Sequence, residues 1–327
     1  METRKIQSIG GSSFSIVLPK KWIDAEKLKD KAEVEIRQQK SGSLILSPAG
    51  KKAAFKKIAI DGLAGESLYR EIISLYILGF DEIKLTAKTI SLQQRQVVRS
   101  VMQKLMGMEI IEDSGQTIRL KNFLNAEKFS FREHIERMFL MAKLMFTDAA
   151  TSFFNHNRDL AADVQERDFE VDKIFFLISR VKYSLMLNTI SEEQVSSSLP
   201  EANYYENIAT QLERAADHAV KIAKVAESGK STINPRLEKI LKENVEKITS
   251  ILKEAEGFTT SRDKHRANHT LSEIEKIFEQ SQLVYEEAIK HNFAPALILN
   301  DSLNRIAGYA VNMAEFTLAQ AIIEDKG

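Results

Sequence analysis

Two helical motifs of this chain occur twice, and this duplication constrains the fold of the carboxy-terminal part more than any other feature. EVDKIF at Glu170–Phe175 recurs as EIEKIF at Glu273–Phe278, an offset of 103 residues. ERAADHAVKIA at Glu213–Ala223 recurs as NRIAGYAVNMA at Asn304–Ala314, an offset of 91. The two offsets differ by the length of a loop between helices, where changes of length are tolerated. The pattern predicts two tandem copies of a three-helix unit.

Apolar spacing and the scarcity of helix breakers support this prediction. No proline occurs between Pro48 and Pro200, and so few breakers favour long helices. The three- and four-residue spacing of a bundle helix is followed by Phe131, Ile135, Met138, Ala142, Met145, Ala149 and Phe153. Breaks are expected near Asn157, Ser191–Pro200, Ser228–Pro235, Gly257–Arg262 and His291–Pro295. They divide the region into six helices, three in residues 130–228 and three in residues 235–324.

The first copy carries two pairs of acidic residues on apolar helices. Asp168 and Asp172 form one pair, and Glu213 and Asp217 form the other. Residues four apart lie on one helical face, where like charges repel by roughly 0.2–0.5 kcal/mol. Two such pairs on neighbouring helices would gather carboxylate oxygens, the ligands that hard divalent or ferric ions prefer. The alternative is that these acids pair with the cations beside them, which are Arg167, Lys173, Arg214 and Lys221.

The second copy lacks most of these acids. Asn304 and Gly308 stand where the first copy has Glu213 and Asp217. Leu271 replaces Asp168, and Glu275 alone keeps an acid, in the place of Asp172. A metal ion is therefore expected in the first copy only.

The first fifty residues read as a small β-rich unit. Strands are expected at Arg4–Ile9, Phe14–Leu18, Val34–Arg37 and Leu44–Leu46, with a short helix from Pro19 to Leu28 and a turn at Ser41–Ser43. A unit of this size buries little core alone, so we expect it to intertwine with a second copy. Residues 1–52 hold 11 Lys+Arg and 6 Asp+Glu, a net charge of +5, whereas the remainder is −5. The basic unit indicates an anionic partner.

RKIQSIGGSSFSIVLPKKWI and AEVEIRQQKSGSLILSP in this unit resemble the AbrB/SpoVT family of swapped-hairpin DNA-binding domains. The resemblance covers residues 1–50 and implies a dimer that binds double-stranded DNA through basic loops. The positions that match its DNA contacts are Arg4, Lys5, Lys20 and Lys21, with Ser12 and Ser13 as phosphate contacts. The alternative is a dimerisation module whose lysines are only solvated surface.

The sequence pattern of residues 55–124 predicts a small α/β segment. Strands are expected at Lys57–Ile60, Glu82–Thr86, Glu109–Glu112 and Thr117–Leu120, with helices at Leu68–Leu78 and Leu92–Met106. This β-α-β-α-β-β order is compatible with a ferredoxin-like sandwich. We interpret the segment as a linker or a sensor domain.

The duplicated helical units, with ERAADHAVKIA as their most specific motif, resemble the PhoU family of phosphate-signalling regulators. The resemblance implies two tandem three-helix bundles whose acid-x-x-x-acid motifs bind metal clusters. It assigns a metal ion (Fe, Zn, Ni, Mn or Mg) to Asp168, Asp172, Glu213 and Asp217. It also implies regulation of phosphate uptake, with phosphate transporter components as partners. A PhoU-like body joined to an AbrB-like head is an arrangement typical of archaeal proteins. The expected fold is mainly α, with a swapped-hairpin β domain and a small α/β segment preceding the bundles.

Three functions follow from these features. The first is a phosphate-responsive, DNA-binding transcriptional regulator of phosphate uptake that forms a homodimer or higher homo-oligomer. The second is a regulator that does not bind DNA, whose head only dimerises and whose body docks on a transporter or signalling partner. The third is a carboxylate-bridged metalloenzyme, which the absence of Glu-x-x-His argues against. We therefore predict that the protein is not an enzyme. With no signal peptide and no apolar run of membrane-spanning length, we expect a cytoplasmic protein without membrane insertion.

Overall fold

The computed structural model describes residues 2–38, 42–49, 54–125, 129–227 and 233–324. The chain divides into two compact units, Met1–Ala53 and Ala54–Gly327. Parts of the expected turn at Ser41–Ser43 and of the expected break at Ser228–Pro235 lie outside the described residues.

The amino-terminal unit consists of two hairpins around one short helix. Strands β1 (Gln7–Ile9) and β2 (Ser13–Ser15) pair antiparallel, and so do β3 (Val34–Gln38) and β4 (Leu44–Pro48). Helix α1 (Lys20–Ala25) lies between the hairpins in sequence. The first two strands are shorter than expected at their outer ends, and Gly10 and Gly11 turn the chain between them at φ values of 62° and 81°. None of the described side chains of this unit is buried.

The α/β segment opens the second unit. It contains β5 (Phe55–Ala59), α2 (Gly65–Ile77), β6 (Glu82–Thr86), α3 (Leu92–Lys104), β7 (Met108–Asp113) and β8 (Thr117–Asn122). Helices α2 and α3 pack on each other. Their apolar side chains join those of the sheet in one core that includes Leu68, Ile72, Ile83, Val98, Val101 and Leu120.

The ferredoxin-like prediction for this segment is wrong. The sheet has the order β5-β6-β8-β7, with β5 and β6 parallel and the other pairs antiparallel. A ferredoxin-like fold has the element order β-α-β-β-α-β, whereas this segment ends in a hairpin. The tight turn at Ser114 makes β7 and β8 neighbours, and it is β8, the last strand, that pairs with β6.

Six long helices follow, as the periodicity predicts. They are α4 (Phe131–Asn155), α5 (Arg158–Met186), α7 (Leu199–Glu227), α8 (Pro235–Ser261), α9 (Lys264–Lys290) and α10 (Ala294–Glu324). A short helix, α6 (Glu192–Val195), lies in the expected break before Pro200. Asn157, Asn234 and Asp263 begin three of the long helices by accepting hydrogen bonds from first-turn backbone amides.

The six helices form two three-helix bundles on one continuous core. Helices α4, α5 and α7 pack together, and so do α8, α9 and α10, while α7 on α10 and α4 on α8 join the two bundles. All seven residues of the stripe from Phe131 to Phe153 are buried. The mainly α fold with tandem bundles is thus confirmed.

Helix α10 is long and apolar enough to cross a membrane by length and composition, which the sequence did not lead us to expect. Nearly half of its most apolar window is buried inside the protein, and the helix packs on α7, α8 and α9. Its apolar character is that of a core helix in the second bundle.

Candidate functional site

The two acid pairs lie on helices that pack against each other. Asp168 and Asp172 are in the middle of α5, and Glu213 and Asp217 are in the middle of α7. On α7 the fully buried Leu212 and Ala216 precede Glu213 and Asp217 by one residue each. Glu213, Asp168 and Asp172 are accordingly half-buried at the border of the core, whereas Asp217 is exposed.

The carboxylates of the two pairs are close enough to change each other's pKa values. Burial, followed by the charges of Asp172 and Asp217, raises the pKa of Asp168 to about 6. Burial, followed by the charges of Asp217, Asp172 and Asp168, raises the pKa of Glu213 to about 7. The pKa of Asp217 is also raised by burial and by Asp172. Because each pair perturbs the other across the α5–α7 contact, we call these four residues the acid cluster.

Most of the neighbouring cations bind other carboxylates. Arg167 contacts Asp148 at 2.6 Å and Asp163 at 2.8 Å. Lys173 contacts Glu170 at 2.8 Å, and Lys221 contacts Asp301 at 2.7 Å. The charge of Arg214, the fourth cation, lowers the pKa of Glu213. This effect is smaller than the increase that burial and the other three acids cause.

Among the described residues, the cation that forms an ion pair with the acid cluster comes from the α/β segment, while Lys224 of α7 acts on Asp168 and Asp217 through its charge. The Nζ atom of Lys104, the last residue of α3, donates to Asp172 Oδ2 at 2.7 Å. Only 15% of the Asp172 side chain and 28% of the Lys104 side chain are exposed. Sequence reasoning missed Lys104, because no local pattern links residues that are 68 positions apart.

The donor chemistry of the acid cluster suits a hard cation, but its geometry is not that of a closed metal site. Asp168 Oδ1 is buried and has no hydrogen-bond partner, which is costly for a carboxylate oxygen. Across the described ranges, no three His, Cys, Asp or Glu side chains are grouped so that they could hold one metal ion. Ligation by all four acids would therefore require side-chain movement, including release of Asp172 from Lys104.

The corresponding region of the second bundle holds a neutral hydrogen-bond network. Asn304 Nδ2 donates to Ser281 Oγ at 2.5 Å, and Asn300 Nδ2 donates to the same atom at 2.9 Å. Glu275 is exposed, and Leu271 packs on the core. The second bundle therefore satisfies its polar groups here without a cation.

The pKa of Glu213 predicts how pH changes the stability of metal-free protein. Between its ordinary value of 4.5 and about 7, the folded state binds more protons than the unfolded state, so stability falls as pH rises through this window. Glu213→Gln should reduce this fall, to which Asp168 and Asp217 also contribute, and should make chelator-treated protein roughly 1–3 kcal/mol more stable than wild type at pH 8. Urea denaturation at pH 5 and pH 8 measures the difference. Glu275→Gln, on the exposed counterpart, should change little, and equal pH dependence in wild type and Glu213→Gln would contradict the prediction.

In the amino-terminal unit, all six residues matched to DNA contacts are exposed, namely Arg4, Lys5, Ser12, Ser13, Lys20 and Lys21. Ser12 lies in the turn between β1 and β2, and Ser13 opens β2. Lys20 and Lys21 begin α1, directly after Pro19, whose fixed φ suits the start of a helix. Arg4 forms an ion pair with Glu2.

Comparisons with known proteins find matches in two separate parts of the chain. Residues 135–226 match the sequence profile of the PhoU domain, and residues 7–54 match the profile described as "Antidote-toxin recognition MazE, bacterial antitoxin". No curated protein matches the chain.

Solved structures establish the fold of the helical part. PhoU from Pseudomonas aeruginosa is similar with a TM-score of 0.52 and 18% identity, over 59% of this chain and 95% of that one. The phosphate transport system regulatory protein PhoU from Streptococcus pneumoniae is similar with a TM-score of 0.50 and 16% identity, over 58% of this chain and 93% of that one. The chain therefore carries a PhoU domain and a MazE/AbrB-like amino-terminal domain, and its helical bundles have the PhoU fold.

Proposed function

We propose that this protein is a phosphate-responsive transcriptional regulator of phosphate uptake that binds double-stranded DNA as a homodimer or higher homo-oligomer. The PhoU domain and PhoU fold support the regulatory part, since the Streptococcus pneumoniae relative is described as a phosphate transport system regulator. The MazE/AbrB-like domain and its basic charge support the DNA-binding part.

The observation that carries the proposal is the exposed apolar surface of the amino-terminal unit. Seven large apolar side chains of this unit are more than half exposed: Ile6, Ile9, Phe14, Ile16, Val17, Ile36 and Leu44. Burying each would contribute about 1.5–3 kcal/mol. A second copy of the unit is the partner we propose, because intertwined hairpins would bury these side chains against their own equivalents.

A dimer of this kind would double the basic surface. Lys20 and Lys21 at the start of α1 would then occur twice on one particle, together with Arg4, Lys5 and the two serines. Side chains of these types bind phosphate oxygens along the DNA backbone and position a protein on the duplex.

The acid cluster is the proposed sensor of the body. Asp168, Asp172, Glu213 and Asp217 would hold an Fe, Zn, Ni, Mn or Mg ion, which supplies positive charge that offsets their repulsion and can present an open position to an anion such as phosphate. The buried and unpartnered Asp168 Oδ1 supports this assignment. Phosphate transporter components are the partners we propose for the body.

Charge reversal in the head tests DNA binding. Lys20→Glu with Lys21→Glu should weaken binding of a fluorescent duplex of random sequence by roughly 100-fold or more at moderate salt, and should lower the salt slope by about 0.9 for each phosphate that is no longer neutralised. Fluorescence anisotropy of the intact protein over a salt series measures both. Lys239→Glu with Lys253→Glu, two exposed lysines of α8, is the matched control and should bind normally. If the head variant binds like wild type, or if wild type does not bind, DNA binding fails. The head would then serve dimerisation only.

A further inference from the structure

Lys104 differs from every other cation near the acid cluster in where it comes from. It ends α3 of the α/β segment, whereas the acids lie on α5 and α7 of the first bundle. Its ammonium is 2.7 Å from Asp172 Oδ2 and 5.7 Å from the centre of the Tyr69 ring on α2. The contact therefore ties the two helices of the α/β segment to the acid cluster.

We infer that Lys104 is a tethered cation that competes with a metal ion for Asp172, so that metal binding at the acid cluster detaches the end of α3 from α5. The inference rests on the metal site proposed above. The attachment of the α/β segment to α5 would then depend on whether the acid cluster holds a metal ion.

Competition follows from the geometry of Asp172. A metal ion bound to its carboxylate would lie about 2.0–2.6 Å from an oxygen, and the Lys104 ammonium already lies 2.7 Å from Oδ2. Two cations on one carboxylate, both largely shielded from water, repel strongly. A cation of higher charge, held by more of the four acids, displaces the ammonium toward solvent.

A second attachment of the α/β segment to α5 is independent of the acid cluster. Arg180 of α5 donates to the backbone oxygens of Tyr76 and Phe80 at 2.7 and 3.0 Å, and to Asp81 Oδ1 at 2.9 Å. These bonds hold the end of α2 while Lys104 is released. Metal binding therefore loosens one end of the segment and leaves the other end fixed.

Replacing the tethered ammonium tests the competition directly. In the full-length, chelator-treated protein, Lys104→Met keeps most of the stem and removes the charge, so Mn²⁺ should bind at least about 10-fold more tightly than to wild type by calorimetry. Lys104→Arg keeps a cation and should bind Mn²⁺ much less tightly than Lys104→Met. Lys88→Met, an exposed lysine of the same segment, is the matched control and should behave like wild type.

Hydrogen exchange supplies the second readout. Mn²⁺ should speed exchange at the end of α3 in wild type, and Lys104→Met should show fast exchange there without metal. Equal Mn²⁺ affinity in wild type and Lys104→Met, or metal-independent exchange in α3, would overturn the competition while leaving the metal site standing. If neither protein binds Mn²⁺, the metal site itself fails, and the competition fails with it. If Lys104→Met binds Mn²⁺ and wild type does not, the result supports the competition.

Discussion

Replacing Arg180 with alanine should lower the free energy of unfolding of the intact protein by about 3–5 kcal/mol. The Arg180 side chain is only 6% exposed. Its guanidinium satisfies backbone oxygens at the end of α2, where a helix leaves carbonyls without partners. It also lies 4.9 Å from the centre of the Tyr76 ring. The variant would remove the guanidinium from both carbonyls, and that of Phe80 would lose its donor while that of Tyr76 keeps the backbone N–H of Gly79. A buried carbonyl that loses its donor costs roughly 1–3 kcal/mol.

Urea denaturation followed by circular dichroism measures the effect of Arg180→Ala. Arg236→Ala is the matched control, because the Arg236 side chain is 68% exposed and Glu287, which it contacts at 3.5 Å, keeps Lys290 as a partner at 3.7 Å. That control should change stability by less than about 1 kcal/mol. A similarly small effect of Arg180→Ala would mean that water from the adjoining cavity of about 480 Å³ reaches the carbonyls in its place.

Removing the charges of Glu213 and Asp217 should abolish the response of the protein to metal ions. Wild type purified without chelator should contain bound metal by elemental analysis, and a metal at about 100 times its Kd should stabilise it by about 2.7 kcal/mol. For a protein of this size that is a rise in Tm of roughly 4 °C. Glu213→Gln with Asp217→Asn keeps the shapes of the side chains and removes their charge, so the rise should disappear while the fold survives.

A thermal shift series with Fe, Zn, Ni, Mn and Mg ions measures this response. Glu275→Gln with Glu286→Gln, two exposed acids of α9, removes the same charge from the second bundle and should respond like wild type. Wild type that holds no metal and shows an unchanged Tm with every ion would rule out the proposed metal site. An undiminished response in the Glu213 and Asp217 variant would place the ion elsewhere.

Local periodicity was sufficient to predict the helical body. The stripe from Phe131 to Phe153 is buried because three- and four-residue spacing places those side chains on one face, whatever the helix packs against. The same spacing placed Asp168 beside Asp172 and Glu213 beside Asp217. That the two pairs act on each other depends on the contact between α5 and α7.

Features that depend on packing between distant segments could not be predicted. Lys104 reads as an ordinary cation in the last turn of a helix, and Arg180 reads as a polar interruption of an apolar helix. Both acquire their roles only when the α/β segment docks on α5. The prediction of the sheet was wrong for the same reason. Strand patterns identify β6, β7 and β8 but do not show which of them are neighbours in the sheet.

The two bundles differ in whether they need a cation. Where the first bundle has the acid cluster, the second has a neutral network of Asn300, Asn304 and Ser281. Asn300 and Asn304 both donate to Ser281 Oγ, so the second bundle needs no cation at this position. Because α10 packs along α7, the second bundle also supports the helix that carries Glu213 and Asp217. We therefore expect release of an ion to rearrange the first bundle near α3 and to leave the contacts of Asn300 and Asn304 unchanged, so that only one of the two copies responds to metal.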